Sequence, residues 1–299
     1  MVSFAFRPSP EPPASKLWLT GRFPHRGELV ADLRQRIGRA PHPITACPPD
    51  PRHFGLAVER TLALDLCDAP PYPQLFANLP EPARHKLLTI AGYHSLQEAP
   101  ELSWRRTGRG VTGARLFTVG SLLTDLDYVL RQLRPGTPDE GCRALRVPLR
   151  HRETIAIHVG AIHAARPAFR QFWASYSGGF RAALLGYGCV TAGLALLGGL
   201  RVADLLAGTT LVELKTGHLD DTCQFHDLID QVLTYALLAP LSGFPVTAVV
   251  IYLARHHVLA RYPVDALTTG LAGQPIDLAE AGRDLAALIL AEQARPAAT

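Results

Sequence analysis

The chain has 299 residues, 47% of them apolar and 19% charged, which indicates a folded protein of one large domain or two smaller ones rather than a disordered chain. Its formal net charge of +4 permits a polyanionic partner without requiring one. The five cysteines contain no CxxC pair, which argues against a zinc ribbon, a four-cysteine iron–sulfur site or a disulfide framework and favours free thiols in a reducing compartment.

The sequence has no feature typical of secretion or membrane insertion. The first residues, MVSFAFRPSPEPP, lack the basic start and apolar core of a secretory signal. The apolar run CVTAGLALLGGL (189–200) is too short to span a bilayer, and we interpret it as a buried strand or hairpin. We therefore expect a cytoplasmic protein that does not contact membranes.

The first part of the chain has mostly helical patterns. Residues 1–52 are rich in proline around one helix-like patch at 27–38, and we expect this segment to wrap the surface or to form a small subdomain. Residues 53–179 form a second, mostly helical region. Its predicted elements are a helix at 52–66, proline-broken helices at 70–100, a basic loop at 104–113, an amphipathic helix at 121–133, and a helix interrupted at Pro167.

Residues 180–299 have the pattern of a separate core with strands and helices. Short apolar runs between Gly-Gly and Gly-Thr turns predict three strands, the last of which contains TLVELK (210–215). The elements that follow are a helix at 225–241, a buried strand at 244–255, a turn at His256-His257, a returning strand at 258–264, and a helix at 277–294 with Asp277 as its N-cap. This order predicts an α/β (α+β) fold with a mixed β-sheet flanked by helices.

Three charged residues, Asp204, Glu213 and Lys215, stand out in this core. The chain has thirty Lys and Arg residues but only three lysines, so a lysine in an apolar run is informative. Glu213 and Lys215 are two positions apart and therefore project from the same face of a strand. A hairpin that pairs 201–206 with 210–215 brings Asp204 beside that face. The alternative is a Glu/Lys surface pair on an edge strand.

Two carboxylates and a lysine at one place suit a hard divalent cation and a phosphate. Mg²⁺ prefers carboxylate and carbonyl oxygens, which Asp204, Glu213 and the backbone carbonyl of Leu214 supply. A bound metal makes water a better nucleophile and neutralises charge on a phosphate. Lys215 then holds the water, helps to deprotonate it, or stabilises the phosphorane-like state, and an ammonium suits this role better than a guanidinium.

The stretch GGLRVADLLAGTTLVELKTG (198–217), followed by Gln231 and Tyr235 in QVLTY, resembles the PD-(D/E)xK nuclease superfamily. The similarity is to its RecB-type exonuclease branch and that branch's CRISPR-associated relatives, which have an acidic residue near the end of one strand, (D/E)xK-Thr-Gly on the next, and Q-x-x-x-Y on the following helix. The resemblance is specific over 198–255 and implies a restriction-endonuclease-like core. It also implies that Gln231 and Tyr235 support Lys215 or touch the nucleic-acid backbone, whereas the alternative is an ordinary amphipathic helix.

The family also has an acidic residue or a histidine on its first core helix, and Glu59 in HFGLAVERTL matches this position. The resemblance implies that Glu59 is an accessory metal ligand, with Glu153, His158 and His163 as rivals on a later helix. The alternative is a solvated helix carboxylate. With Glu59 in this role, the long stretch that precedes Asp204 is an inserted helical subdomain.

Two basic stretches contain candidate phosphate contacts, with a solvated basic surface as the alternative. The arginines are Arg105, Arg106, Arg109, Arg146, Arg150 and Arg152. Trp104 is a candidate for stacking on an unpaired base.

The resemblance implies a Mg²⁺- or Mn²⁺-dependent nuclease that hydrolyses DNA and leaves 5′-phosphate and 3′-hydroxyl ends, in defence against foreign DNA or in DNA repair. RNA stays open as a substrate. No GxxxxGK[ST] motif is present, so a motor would be a separate helicase or defence-system protein, and a homo-oligomer is also compatible with the sequence. The alternative is a nucleic-acid-binding or assembly module on a nuclease-like scaffold whose activity needs a partner.

Overall fold

A computed structural model describes residues 12–40, 44–46, 48, 50–96, 103–106, 111–132 and 152–294, with the backbone alone for 95–96, 103, 105–106, 128–132 and 152–161. The helices are α1 (Ala14–Arg22), α2 (Arg26–Arg39), α3 (Pro51–Leu66), α4 (Pro73–Ala77), α5 (Glu81–Ile90), α6 (Gly113–Gln132), α7 (Arg152–Ser175), α8 (Arg181–Gly186), α9 (Thr222–Leu238), α10 (Val264–Ala272) and α11 (Leu278–Ala294), with a π-helical turn at Tyr176–Phe180. The strands are β1 (Tyr93–Leu96), β2 (Ser103–Arg106), β3 (Val190–Leu196), β4 (Arg201–Ala207), β5 (Thr210–Lys215), β6 (Ala248–Leu253) and β7 (Val258–Pro263).

The centre of the fold is a five-stranded mixed sheet with the order β3-β4-β5-β6-β7. All neighbouring strands are antiparallel except β5 and β6, which are parallel and are connected by α9. β5 and β6 are almost entirely buried, as expected for central strands that are covered on both faces. The predicted mixed sheet flanked by helices is therefore confirmed.

The two faces of the sheet are covered by helices from different parts of the chain. Leu211 and Ile251 belong to a core that α1, α2, α9, α10 and α11 share, and Val212 and Tyr252 belong to a core with α3, α6 and α7. The alternation of neighbouring residues between the two cores follows from the two-residue repeat of a strand. The proline-rich N-terminal segment thus contributes two helices to the same core as α9.

Helix α3 begins at a well-formed cap and contacts α6 through two polar side-chain pairs. The Asp50 side chain accepts hydrogen bonds of 3.0 Å from the backbone N–H groups of residues 52 and 53. His53 Nε2 lies 2.8 Å from Asp125 Oδ1, and Arg60 Nη2 donates to Asp127 Oδ2 over 2.6 Å. These contacts fix the position of α3 beside α6.

The later elements follow the predicted order, and Asp277 accepts hydrogen bonds from the backbone N–H groups of Ala279 and Glu280, at 2.9 and 3.0 Å, as the predicted N-cap of α11. The predicted turn at His256-His257 is confirmed, since His257 has a left-handed φ of 54°. Helix α10 was not predicted. Among the described residues, no helix has the length and apolarity needed to cross a membrane.

Three predictions for the first part of the chain were wrong. Trp104–Arg106 belong to β2 instead of a loop, and Tyr93–Leu96 form its partner β1 instead of a helix. Tyr93 is buried and donates hydrogen bonds to two carbonyls of the α3 region, so tertiary contact decides the conformation of β1. Helix α7 continues through Pro167 because the residues after it are buried in the core. Helix α8, which was not predicted, precedes the first strand of the sheet at Val190.

Candidate active site

The candidate site lies where the pairing of β4 is interrupted on both sides. The β4–β5 ladder ends at the pair Leu205↔Val212. The β3–β4 ladder skips the position at which Gly193, with a φ of 65°, lies opposite Asp204. Residue 204 is thus paired with neither neighbouring strand. Its side-chain carboxylate instead accepts a hydrogen bond of 2.9 Å from the backbone N–H of Leu214. The interruption thus directs Asp204 into the gap between β4 and β5.

Glu213 and Lys215 project from the same face of β5, and they form an ion pair. Lys215 Nζ lies 2.7 Å from Glu213 Oε1, and the Glu213 side chain is only 2% exposed. Both carboxylate oxygens of Glu213 are buried, and among the described residues Oε1 contacts Lys215 Nζ while Oε2 has no hydrogen-bond partner. A buried carboxylate with unused oxygens is a strong candidate for binding a cation.

Helix α9 supplies two further polar side chains to this face of the sheet. Lys215 Nζ donates a hydrogen bond of 2.7 Å to Gln231 Oε1, and Gln231 Nε2 donates one of 3.0 Å to Tyr235 Oη. The two α9 residues meet because they are four positions apart, which is about one helical turn. The structure therefore joins Glu213, Lys215, Gln231 and Tyr235 in one continuous row.

Helix α3 brings Glu59 to the same place by a very close approach to the chain that follows β5. A Cβ atom on Gly55 would lie 2.7 Å from Thr216 Oγ1, so only glycine fits this contact without a shift. Glu59 follows Gly55 by one turn, and its Oε1 accepts a hydrogen bond of 3.0 Å from Tyr72 Oη. Burial and the nearby charge of Asp204 raise the pKa of Glu59 to about 8.

The pKa values of the other groups show that negative charge is unfavourable here. Burial and the charge of Glu213 raise the pKa of Asp204 well above its usual value. Burial also raises the pKa of Glu213, against the opposing effect of Lys215. Burial on its own lowers the pKa of Lys215, but the carboxylates outweigh it, so the net shift is upward. Three carboxylates around one ammonium need further positive charge to be ionised together.

The residues at this place fit a hard divalent cation bound mostly through oxygen and water. Among the described residues, no group of three or more His, Cys, Asp and Glu side chains is arranged as a cage for a metal ion. Mg²⁺ seldom uses such a cage, because it is usually bound by one or two carboxylates and keeps several waters. Asp204, Glu213 and the carbonyl of Leu214 suit that mode, with Glu59 at the edge.

The predicted phosphate contacts are placed only in part. Arg105 and Arg106 lie on β2 and Arg152 at the start of α7, where the backbone alone is described. Arg109, Arg146 and Arg150 lie outside the described residues. The ring of Trp104 is partly buried and lies 5.2 Å from that of His85, so one part of it is already covered.

Of the three rivals of Glu59 on α7, only His163 has a described side chain, and no described contact brings it to the site. The His163 side chain is exposed, and for Glu153 and His158 only the backbone is described. Tyr72, which contacts Glu59, was missed by the sequence reasoning. Its partner Gly193 carried a usable signal, because an isolated glycine in a strand pattern marks a bulge or a close backbone approach.

Comparison of the chain with protein-family models, with curated proteins and with solved structures gives no significant match.

Proposed function

We propose that this protein is a metal-dependent nuclease that hydrolyses the phosphodiester bonds of DNA. The observation that carries the proposal is the meeting of Asp204, Glu213 and Lys215 at the interrupted pairing of β4. Each of the two carboxylates has a raised pKa, and Lys215 is held between Glu213 and Gln231. A purely structural ion pair would not need the second carboxylate, whose charge is unfavourable in this position.

The chain's own residues supply binding, orientation and positive charge. A Mg²⁺ or Mn²⁺ ion bound by Asp204, Glu213 and the Leu214 carbonyl, with Glu59 at its edge, would stabilise the charge that builds on the phosphate. Without a bound cation the neighbouring carboxylates raise the pKa of Lys215, so its side chain is protonated, and in this form it would donate hydrogen bonds to the attacking water or to the phosphate.

Gln231 and Tyr235 position Lys215 in this scheme. The ammonium of Lys215 has three N–H donors. The Gln231 amide oxygen accepts from one of them, so the other two keep a defined direction. Tyr235 fixes the orientation of the Gln231 amide by accepting from its Nε2. Both residues therefore act through Lys215.

The test uses purified full-length protein with linear, circular and single-stranded DNA, and with RNA, in Mg²⁺, Mn²⁺ or EDTA. We expect cleavage of DNA in either metal, none in EDTA, and loss of cleavage in Lys215→Ala. Lys86→Ala is the matched control, since Lys86 is an exposed lysine on α5. DNA binding without cleavage in any metal would instead support a binding or assembly module, and cleavage that survives Lys215→Ala would contradict the proposed site.

A further inference from the structure

A cavity of about 260 Å³, open to solvent, lies beside the candidate site. The proposed function does not assign a role to this cavity. Gln231 and Tyr235 form part of its wall, and Gln231 also contacts Lys215. Arg201 at the start of β4 and Lys16 on α1 form other parts of the wall. A ligand in this cavity would therefore be separated from Lys215 by a single side chain.

The charged side chains that line this cavity are paired with one exception. Lys16 Nζ lies 2.7 Å from Asp227 Oδ1, and Asp230 Oδ1 lies 2.7 Å from Arg26, which does not line the cavity. Within the described part of the chain, Arg201 forms no salt bridge with a carboxylate, and its Nη1 donates to the carbonyl of the preceding residue over 2.9 Å. The cavity thus presents one guanidinium that has no carboxylate partner among the described residues.

We propose that this cavity binds a phosphate of the substrate strand that neighbours the scissile one, with Arg201 as its main ligand; the proposal rests on the nuclease function proposed above. A guanidinium presents several N–H donors in one plane, which matches the oxygens of a phosphate. Tyr235 Oη accepts from Gln231 and can donate its own proton to the same ligand. Because Gln231 contacts Lys215 and also lines the cavity, a strand with one phosphate at Lys215 would reach the cavity with a neighbouring phosphate.

The test combines Arg201→Ala with oligonucleotides in which one phosphate at a time is replaced by an uncharged methylphosphonate. We expect Arg201→Ala to lower cleavage at limiting substrate by about tenfold or more. One methylphosphonate next to the cleavage site should lower cleavage by the wild-type protein by a similar factor. It should not lower cleavage by Arg201→Ala any further, because the two changes remove the same contact. Arg170→Ala, which removes an exposed arginine of α7, is the control and should behave like wild type.

If no methylphosphonate position shows a smaller effect in Arg201→Ala than in the wild-type protein, the phosphate site is overturned, even where cleavage itself is metal-dependent as proposed. A wild-type protein that cleaves no substrate overturns the nuclease function instead. The same set of oligonucleotides is then compared by fluorescence anisotropy of binding in EDTA. Coupling between Arg201 and one phosphate in that measurement supports the site, and no coupling or no binding overturns it.

A second and independent observation concerns Tyr72, the partner of Glu59. Its backbone is left-handed, with a φ of 55° and a ψ of 53°, which residues other than glycine seldom adopt. Its ring fills the space above Gly193, where an added Cβ would lie 2.7 Å from the ring. The guanidinium carbon of Arg60 lies 5.7 Å from the ring centroid.

We infer that Tyr72 is a positioning residue, which holds Glu59 in the direction of the cation that Asp204 and Glu213 would bind; this too rests on the proposed metal site. Three contacts keep the ring in place, and the backbone strain persists only because these surroundings determine it. Hydrogen-bond partners of metal ligands orient them, and their removal typically weakens metal binding by about 10–100-fold.

Mn²⁺ binding to the full-length protein without nucleic acid tests this inference by isothermal titration calorimetry. Tyr72→Phe keeps the ring and removes only the hydroxyl, and we expect at least about tenfold weaker binding with an unchanged unfolding temperature. Tyr262→Phe is the matched control, because it also removes a tyrosine hydroxyl that donates to a carboxylate, that of Asp32 at 2.5 Å, away from the candidate site.

Equal Mn²⁺ affinity of wild type and Tyr72→Phe overturns the role of Tyr72, as does an equal loss of affinity in Tyr262→Phe. Since no nucleic acid is present, the result is separate from cleavage. A wild-type protein that binds Mn²⁺ but cleaves nothing contradicts the nuclease function alone, and one that binds no Mn²⁺ contradicts both.

Discussion

The candidate site has two halves that are built in different ways. The first, which we call the strand–helix half, comes from one continuous stretch of the chain. It consists of Asp204, Glu213, Lys215, Gln231 and Tyr235. Its β5 and α9 positions follow from the two-residue repeat of a strand and from one turn of a helix, and the interrupted pairing of β4 adds Asp204.

The second, which we call the α3 half, consists of Gly55, Glu59 and Tyr72 and comes from much earlier in the chain. Its geometry depends on two close approaches, at Gly55 and at Gly193, where a side chain would not fit. The two halves therefore differ in what they would contribute to the site. Under the proposed function, the strand–helix half would supply the charges that the chemistry needs, and the α3 half would adjust how firmly a cation is held.

The largest expected effects come from the strand–helix half, where activity and stability should separate. Asp204→Asn and Lys215→Ala should each lower cleavage by about 10²–10³-fold, because the first removes the charge of a proposed cation ligand and the second removes the ammonium that would donate to the attacking water or to the phosphate. In EDTA, however, Asp204→Asn should raise the stability, since the raised pKa of Asp204 means that its charge is unfavourable in the fold. Lys215→Ala should lower the stability by about 3–5 kcal/mol, because Glu213 is left buried without its cation.

Urea unfolding in EDTA measures the stability of each variant, and a cleavage assay on the same samples measures its activity. A fall in stability for both variants would mean that the site is an ordinary ion pair and would remove the distinction between function and stability.

The next effect tests the α3 half through pH. The pKa of Glu59 is about 8 in the fold against an ordinary value of 4.5, so the folded state holds a proton that the unfolded state releases. In EDTA the stability contributed by this proton is therefore complete below about pH 4.5 and is lost as the pH rises to about 8, with a slope of at most about 1.4 kcal/mol per pH unit. Glu59→Gln should flatten this slope. Urea unfolding between pH 5 and pH 8 measures it, and an unchanged slope in the variant would contradict the assignment.

A smaller effect tests the close approach at Gly55. Gly55→Ala should destabilise the protein by about 1–3 kcal/mol and weaken Mn²⁺ binding, because its Cβ meets Thr216 Oγ1. The additional change Thr216→Ala should restore most of both losses.

Gly38→Ala on α2 is the matched control for this pair. Nothing lies within 4 Å of its added Cβ, so it should stabilise the protein by up to about 1 kcal/mol. If the effects of Gly55→Ala and Thr216→Ala on thermal unfolding are additive, the contact between these residues does not set the distance between α3 and the chain that follows β5.

The smallest effect is expected at a rival of Glu59. His163→Ala should change neither cleavage nor Mn²⁺ affinity, because the side chain is exposed on α7. A loss of Mn²⁺ affinity in titration calorimetry similar to that of Glu59→Gln would move the accessory ligand from α3 to α7.

The sequence predicted the strand–helix half well because its signals are local. The turns around β4 and β5, the two-residue spacing of Glu213 and Lys215, and the four-residue spacing in α9 all lie within a short window. The mixed sheet and the succession of its strands along the chain followed from the same kind of pattern. Their catalytic roles stay predictions, as does the nuclease family that the motif resembles.

The parts that local pattern could not supply depend on tertiary contact. The strands β1 and β2 form because Tyr93 is buried against α3, and no alternation in the sequence marks them. Tyr72 adopts a left-handed backbone because the surrounding side chains hold it there, which a Tyr-Pro dipeptide does not reveal. Arg201 was passed over because only the fold places it in the wall of a cavity with Gln231.

The most direct test of the central claim is a crystal of the protein soaked in Mn²⁺, examined by anomalous diffraction. We predict one peak at the interruption of β4, about 2.1 Å from oxygens of Asp204 and Glu213, with the Glu59 carboxylate turned toward it. The peak should vanish in Asp204→Asn. No peak at this place, or a peak that leaves Asp204 and Glu213 uncoordinated, would contradict the account.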